Sequence, residues 1–218
     1  KLPMGVQTPT MAPISSIMGE IMLVAVTSDS LSPMEIRTLA DWTISPRLKS
    51  VGGVANVSAI GGDYKQYQVL AHPEKLKYYH LNIKDLAAKV AESNLNVAGG
   101  LLNEYGNQYV IKGSGRTYHI NDLEESIVKQ VNGQNIKIKD VATVVVGVPD
   151  KIGEGSLNAS PSVILTITKQ PDVNTLELTN RLQEAVNEMQ LSLPPRVTLH
   201  SDIFKQSNFI EASISNLK

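Results

Sequence analysis

The sequence predicts an α+β fold, in which a split ferredoxin-like sheet carries an inserted α+β subdomain. Two β-α-β patterns, one near each end of the 218-residue chain, are the main observation behind this prediction. Each pattern combines apolar runs of strand length with a helix that starts at a recognisable N-cap. Because residues 63–148 between them carry helix and hairpin signals of their own, we expect the two halves to share one sheet and the middle to fold separately.

The first β-α-β pattern lies within residues 17–62. Ile21–Thr27 is an apolar, β-branched run, and Ser32–Glu35 supplies an N-cap, a proline at the first helical position and a capping-box glutamate. Pro46 lacks a backbone donor, so we expect the helix to kink or restart there. Val54–Ile60 then forms the second strand.

The second pattern lies within residues 149–202. Gly155–Asn158 and Val163–Thr168 have strand composition, and Asn174 begins a helix with apolar residues at helical spacing. Val197–His200 is the closing strand. The predicted fold requires the middle strand of this half to pair with the last strand of the first half.

The insertion has a mixed pattern of its own. We expect strands at Tyr64–Leu70, Ile127–Val131 and Asn135–Lys139, helices at Pro73–Tyr79 and Ile83–Glu92 and from Asn121, and a short hairpin at Leu101–Tyr105. At the ends of the chain, residues 1–16 contain three prolines and predict an extended lead-in, whereas residues 203–218 have the pattern of an amphipathic helix.

Composition excludes several classes of function. A net charge of −1, with 20 basic and 21 acidic residues, provides no footprint for nucleic acid. The absence of cysteine excludes thiolate metal sites and disulfides. The sequence has no run of about 18 apolar residues that would span a bilayer. No nucleophile, acid–base or phosphate-loop pattern occurs, so we expect that the protein is not an enzyme.

Several segments resemble one known family. They are Asp41–Leu48 (DWTISPRL), Gly61–Val69 (GGDYKQYQV), Ser93–Gly100 (SNLNVAGG), Gln108–Ile111 and Ile138–Ala142. Together they are similar to the resistance–nodulation–division (RND) efflux permeases, in the heavy-metal branch that exports copper and silver or cobalt, zinc and cadmium. The resemblance implies a fragment of the first periplasmic loop of such a permease.

The resemblance also implies an organisation and partners. Residues 17–62 and 149–202 correspond to a porter subdomain, and residues 63–148 correspond to an inserted docking subdomain. Residues 1–16 would lead in from a preceding porter subdomain, and residues 203–218 would begin a helix that leads to a transmembrane span. The full-length protein would be a proton-driven homotrimer in the inner membrane of a Gram-negative bacterium, bound to a periplasmic adaptor and an outer-membrane channel. The short hairpin (Leu101, Leu102, Asn103, Glu104 and Tyr105) resembles the arm that reaches into the next protomer.

Glu20 is the leading candidate for contact with a transported metal cation, and no resident cofactor is expected. A carboxylate is a hard oxygen ligand, and the corresponding segment of the heavy-metal branch resembles one that supplies an acidic residue to the metal pathway. The alternative is a solvated carboxylate at a strand end. The resemblance places Asn56 where a second acidic ligand is often expected, and it places Ile60 at the strand end in the cleft.

Methionine and histidine give weaker signals. Met11, Met18 and Met22 would suit monovalent copper or silver, but thioethers more often fill gaps in a core. The four histidines (His72, His80, His119 and His200) lack the spacing of metal ligands and are expected to be surface or packing residues.

Two further functions stay open. The same architecture serves multidrug exporters, although the chain has only two phenylalanines and a drug-binding cleft is expected to be rich in aromatic surface. This scarcity favours a small inorganic cation. A stand-alone α/β binding module, with the insertion as an interaction arm, is the alternative from a different class.

Overall fold

The structure is a computed structural model that describes residues 19–93, 97–104, 107–113, 119–131, 133–151 and 153–216. In chain order the elements are β1 (Glu20–Ser28), α1 (Pro33–Leu39), a π-helical turn (Ala40–Ile44), α2 (Ser45–Lys49), β2 (Val54–Ile60), β3 (Gln66–Ala71), α3 (Pro73–Tyr78), α4 (Ile83–Glu92), β4 (Val97–Glu104), β5 (Asn107–Gly113), α5 (Ile120–Glu124), β6 (Ile127–Val131), β7 (Gln134–Lys137), α6 (Ile138–Val141), β8 (Ala142–Gly147), β9 (Gly155–Leu157), β10 (Ser160–Lys169), α7 (Thr175–Ser192), β11 (Val197–Lys205) and α8 (Gln206–Asn216).

The described residues form two compact units. Unit 1 contains the residues up to Lys65 and those from Val148 onward, whereas unit 2 is the continuous segment Gln66–Gly147. The chain therefore leaves unit 1 once and returns to it once.

The main sheet of unit 1 joins the early and late parts of the chain. Its strand order is β11-β1-β10-β2, every neighbouring pair is antiparallel, and β9 adds a short pairing to β10. Ile60 lies opposite Ile164 and Asn56 lies opposite Thr168, so the predicted pairing of Val54–Ile60 with Val163–Thr168 is confirmed. With the helices between these strands, this sheet confirms the predicted α+β fold.

One face of this sheet carries the hydrophobic core of unit 1. The core combines alternate strand residues with the apolar faces of the helices. Its buried members are Ile21, Met22, Val24, Val26, Ile36, Ala40, Ile44, Leu48, Val54, Val57, Val163, Leu165, Ile167, Leu178, Leu182, Val186, Met189, Val197 and Leu199. Since side chains alternate along a strand, the strand residues between these core positions point to the opposite face.

The two main helices of unit 1 start as the sequence predicts. The Ser32 hydroxyl accepts a hydrogen bond from the Glu35 backbone N–H, and the Glu35 carboxylate accepts one from the Ser32 N–H at 2.8 Å. The Asn174 side chain likewise accepts from the N–H groups of Leu176 and Glu177. These caps satisfy donors that lack a partner in the first turn of a helix.

The winding of the helix changes just before Pro46, where a kink or a restart was predicted. Helix α1 is followed by a π-helical turn at Ala40–Ile44, and α2 starts at Ser45 with Pro46 in its first turn. The backbone N–H of Ser45 donates to the carbonyl of Ala40, one residue further back than in an α-helix. A proline ring clashes with the carbonyl four residues before it, and the wider turn relieves that clash without ending the helix.

Unit 2 has a separate, smaller core. Buried residues from its helices and strands include Leu76, Leu86, Val128, Ile138 and Val144. Its described sheets are two-stranded: β3 with β8, β4 with β5, and β6 with β7.

Two details of unit 2 differ from the prediction. The hairpin expected at Leu101–Tyr105 is longer, because β4 runs Val97–Glu104 and pairs with β5, while Tyr105 lies outside the described residues. The strand expected at Asn135–Lys139 ends at Lys137, since the Asp140 carboxylate accepts the backbone N–H of Lys137 at 2.8 Å and begins α6.

Across the part of the chain that the structure describes, no helix combines the length and apolar character that crossing a bilayer requires.

Candidate functional site

The face of the unit 1 sheet that points away from the core is the candidate site, and we call it the outer face. On β10 the core takes Val163, Leu165 and Ile167, so Ile164, Thr166 and Thr168 belong to the outer face. Directly opposite residues of antiparallel strands share a face, which allows the register to place the remaining outer-face residues.

A polar row crosses the outer face at one end. Thr168 on β10 lies opposite Glu20 on β1 and opposite Asn56 on β2. Glu20 is exposed, and the other two are partly exposed. An irregularity in the β1 ladder follows Glu20 and allows both Ile21 and Met22 to enter the core while the carboxylate stays outside.

The polar row brings two predicted cleft residues together. Glu20 and Asn56 occupy strands on either side of Thr168, so their Cα atoms are about 10 Å apart, twice the usual strand spacing. One carboxylate, one hydroxyl and one amide oxygen therefore face the same side. Among the described residues, no group of three or more His, Asp or Glu side chains is placed to hold a metal ion.

An apolar row crosses the outer face nearer the other end. Ile60, the third predicted cleft residue, is 50% exposed and lies opposite Ile164. Ala25 on β1 lies opposite Ile164 on one side and opposite His200 on the other, so the row extends across the sheet to β11. The His200 Nε2 atom lies 2.9 Å from the Thr27 hydroxyl oxygen, so this histidine is a packing and hydrogen-bonding residue.

A cleft of about 540 Å³ opens beside Ile60 within unit 1. Arg37 is fixed in its wall: the guanidinium donates to the Asp41 carboxylate and to the Gly61 carbonyl, each at 2.8 Å. The same guanidinium lies over the ring of Tyr64, 5.8 Å from its centroid. These contacts hold Arg37 in place, so it shapes the cleft and orders the segment that follows β2.

Lys151 ties together the two segments that border the cleft. Its ammonium lies 2.9 Å from Glu154 Oε1 and 3.2 Å from Asp63 Oδ1. The hydrogen bond to Glu154, and after it the one to Asp63, raises the pKa of Lys151, so the side chain stays protonated at neutral pH. The positive charge in this wall is thereby balanced by two carboxylates.

Gly61 must remain glycine for the cleft wall to form. Its φ is +86°, and a Cβ atom there would lie 2.5 Å from the backbone nitrogen of Gly155 and from the Ser162 carbonyl oxygen. Both contacts are with backbone, which cannot move aside cheaply.

The other predicted ligands lie elsewhere. Met22 is fully buried in the core of unit 1, on the opposite face from Glu20, so its thioether cannot contact an ion on the outer face. Met18 and Met11 lie outside the described residues. Of the arm residues, Leu101, Leu102, Asn103 and Glu104 lie in β4, and Tyr105 is outside the described residues.

Sequence reasoning missed the outer-face residues of β10. Thr168 and Thr166 alternate with the apolar core residues Leu165 and Ile167, which is a period-two pattern visible in the sequence. What the pattern could not show was the register, which places Thr168 between Glu20 and Asn56.

Comparison with known proteins identifies the family. The model of the AcrB/AcrD/AcrF family matches residues 1–218. The chain belongs to this family. It is the family of RND efflux permeases, which are transporters, and the resemblance that the sequence motifs indicate is thereby confirmed.

Individual members of the family give similar results. Protein HelA of Legionella pneumophila is 31% identical over 225 residues, covering 100% of this chain and 21% of its own length. The cobalt-zinc-cadmium resistance protein CzcA of Cupriavidus metallidurans is 28% identical over 226 residues, with the same coverages. Multidrug resistance protein MdtC of Erwinia tasmaniensis is 27% identical over 199 residues, covering 91% of this chain and 19% of its own length.

The fold of the RND permease chain is also similar to a solved structure. A crystal structure of a heavy metal efflux pump (crystal form I) has a TM-score of 0.77 and 25% sequence identity, and covers 99% of this chain and 21% of the pump. The chain thus spans about one fifth of the length of the curated relatives that it matches.

Proposed function

We propose that this chain is the porter and docking portion of a proton-driven RND pump that exports heavy-metal cations. The main support is the structural similarity over 99% of the chain to a heavy metal efflux pump, together with similarity to a relative named for cobalt, zinc and cadmium resistance. In this proposal unit 1 is the porter subdomain and unit 2 is the docking subdomain.

The polar row is the proposed contact surface for the cation. Carboxylate, hydroxyl and amide oxygens are ligands for divalent cations, and Glu20 supplies the only charged side chain among Glu20, Thr168 and Asn56. One carboxylate provides too few ligands for tight binding by this chain alone. Weak contact suits transport, because an ion that passes through must also leave.

Isothermal titration of the 218-residue chain tests the part of the proposal that concerns Glu20. We expect weak binding of zinc or cobalt, and still weaker binding by the Glu20→Gln variant. Glu184→Gln is the matched control, because Glu184 is an exposed carboxylate on α7. Equal heats for wild type, Glu20→Gln and Glu184→Gln would remove Glu20 from the proposed ion path.

Multidrug export is the second candidate function. It is favoured by the cleft beside Ile60, which has a largely apolar wall that includes Ala59, Val148 and Pro149, and by the similarity to MdtC. To separate the two functions, the gene with its flanking coding sequence would be expressed in an efflux-deficient Gram-negative host. Resistance to zinc, cobalt, cadmium, copper and silver supports metal export, whereas resistance to dyes alone supports drug export.

The proposed partners and location follow from the family. The full-length protein would be a homotrimer in the inner membrane, with this portion in the periplasm, and would act with a periplasmic adaptor and an outer-membrane channel. The β4–β5 hairpin, including Leu101–Glu104, would be the arm that contacts the next protomer. Mass measurement of the detergent-purified full-length protein tests this, because a monomer would contradict the trimer.

A further inference from the structure

Two short segments of unit 1 border the cleft beside Ile60, and each is joined in sequence to one end of the insertion. The outgoing segment (Gly61–Tyr64) follows β2, and the returning segment (Val148–Lys151) brings the chain back into unit 1. Residues of both segments line the cleft. The opening of the cleft therefore depends on how firmly these two segments are held together.

The outgoing segment is fixed to helix α1 through its backbone. The Gly61 carbonyl accepts a hydrogen bond from the Arg37 guanidinium at 2.8 Å, and the Asp63 N–H donates to the Pro33 carbonyl at 3.3 Å. A Cβ atom on Gly62 would lie 2.9 Å from the Cβ of Arg37, so the backbone runs directly against the helix. These contacts hold backbone atoms and leave the Asp63 side chain to be stabilised by another group.

The Asp63 carboxylate depends on Lys151. Its side chain is only 24% exposed, and its Oδ1 atom is buried. The Lys151 ammonium lies 3.2 Å from this oxygen, and among the described residues no other group pairs with it. Burial of a carboxylate without a compensating charge is costly, so the ion pair holds Asp63 in the cleft wall.

The second partner of Lys151 depends on it much less. The Glu154 side chain is 75% exposed, so water can solvate its carboxylate when the ammonium moves away. Exposed ion pairs of this kind contribute little to stability. Of the two carboxylates, Asp63 therefore controls the position of the outgoing segment, whereas Glu154, 2.9 Å from the ammonium, keeps Lys151 within reach.

Lys151 also stands between the cleft and a second cavity of unit 1. This cavity has a volume of about 370 Å³ and is lined by Pro33 and Ile36 of α1 and by residues around the β9–β10 turn. Gly62 and Lys151 line both spaces. The outgoing segment and the lysine side chain thus form the partition between the two spaces.

From this geometry we infer that Lys151 and Asp63 form a latch that controls the opening of the cleft beside Ile60. While the ion pair is formed, it ties the outgoing and returning segments together and keeps the cleft at about 540 Å³. When the ammonium leaves, the Asp63 carboxylate turns towards water, which draws the outgoing segment away from α1 and joins the cleft to the second cavity. The latch lies within unit 1 and does not depend on which substrate the pump exports.

The strength of the ion pair suits a device that opens and closes. Lys151 is 48% exposed, and partly exposed ion pairs are weak compared with the free energy of global unfolding. The latch can therefore open by local rearrangement while the core of unit 1 stays folded.

Hydrogen exchange of the 218-residue chain tests the latch. The reporter is the backbone N–H of Asp63, which exchanges when its hydrogen bond to Pro33 opens. Lys151→Met keeps the length of the side chain and removes its charge, so we expect this amide to exchange at least about fivefold faster after correction for the intrinsic rate. Lys151→Arg keeps the charge and should retain slow exchange.

A second substitution separates the latch from a general loss of stability. An amide in place of the Asp63 carboxylate has no charge to compensate, so Lys151→Met/Asp63→Asn should exchange as slowly at position 63 as Asp63→Asn alone. Glu154→Gln is the matched control, because it removes the exposed partner of Lys151, and it should change the rate less than about twofold. Urea unfolding establishes that the global stability of each variant is unchanged.

A single cysteine reports on the cleft itself. The chain contains no cysteine, and Ala59 is a partly buried residue that lines the cleft, so Ala59→Cys provides one thiol there. Labelling of this thiol by a bulky maleimide should be at least about fivefold faster when Lys151→Met is added. Further addition of Asp63→Asn should restore the slow rate.

Three outcomes would overturn the inference. Equal exchange at position 63 in wild type and Lys151→Met would mean that the ion pair does not hold the outgoing segment. Equal acceleration in Lys151→Met and Lys151→Met/Asp63→Asn would mean that the charge of Asp63 is not responsible. Unchanged labelling of Ala59→Cys would mean that the ion pair does not control the cleft.

Discussion

The two faces of the unit 1 sheet differ although the same strands build both. On β10, Leu165 and Ile167 are fully buried in the core, whereas Thr166 and Thr168, their neighbours in sequence, are partly exposed on the outer face. Alternate residues of one strand therefore stabilise the core on one side and form the proposed ligand-contact surface on the other. Substitutions on the two faces should for this reason affect different properties.

Substitution of a core residue should have the largest effect on stability. Leu165→Ala removes a fully buried side chain at the centre of the sheet and should lower the free energy of unfolding by about 2–5 kcal/mol. Thr166→Ala, one residue away on the outer face, should lower it by less than about 1 kcal/mol. Urea unfolding followed by circular dichroism measures both, and similar losses for the two variants would contradict the division into faces.

Loss of the α7 cap should have an intermediate effect. Helix α7 supplies Leu178 and Leu182 to the core, and Asn174 satisfies donors at its start. Asn174→Ala should therefore cost about 1 kcal/mol, measured by the same urea titration. Asn180→Ala, at an exposed position within the helix, should be neutral or slightly stabilising, because alanine has the higher helix propensity.

The sequence predicted those parts of the fold that local chemistry determines. The N-caps at Ser32 and Asn174 and the strand Val54–Ile60 occur where expected, because capping and alternation are local signals. The strand β11 is longer than the predicted Val197–His200, because it pairs with β1 again at Phe204 and Lys205 after an interruption. This second stretch of pairing depends on a strand that is distant in sequence. The π-helical turn before Pro46 was also missed, since proline alone does not determine how a helix accommodates it.

The candidate site was predictable in composition but not in arrangement. Glu20, Asn56 and Ile60 were expected near one cleft through the family resemblance. Only the register shows that Glu20 and Asn56 both lie opposite Thr168, whereas Ile60 belongs to a separate row with Ile164. Register depends on pairing between strands more than 100 residues apart, which periodicity within one strand does not encode.

A fall in pH should have the smallest effect on the free energy of unfolding. The group responsible is Glu125, which lies in unit 2. Hydrogen bonds from Lys137, and after it Lys139, lower the pKa of Glu125 from 4.5 to about 2. The folded state thus favours the ionised carboxylate, so its stabilising contribution is present above pH 4.5 and is lost as the pH falls towards 2. This ion cluster is exposed and screened by solvent, which keeps the contribution small.

Comparison of wild type with Glu125→Gln measures this contribution. The variant should have a slightly lower urea midpoint at pH 6, and the difference should disappear between pH 4.5 and pH 2. A difference that stays constant across this range would mean that the charge of Glu125 is not responsible.

The most direct test of the account is metal resistance conferred by the full-length protein with Glu20→Gln. Because Glu20 is exposed on the outer face and has no role in the core, this change should alter the free energy of unfolding by less than about 0.5 kcal/mol. We expect cells carrying Glu20→Gln to lose resistance to the exported cation at a normal protein level, while Glu184→Gln leaves resistance unchanged. Equal resistance for wild type, Glu20→Gln and Glu184→Gln would contradict the assignment of the outer face to the ion path.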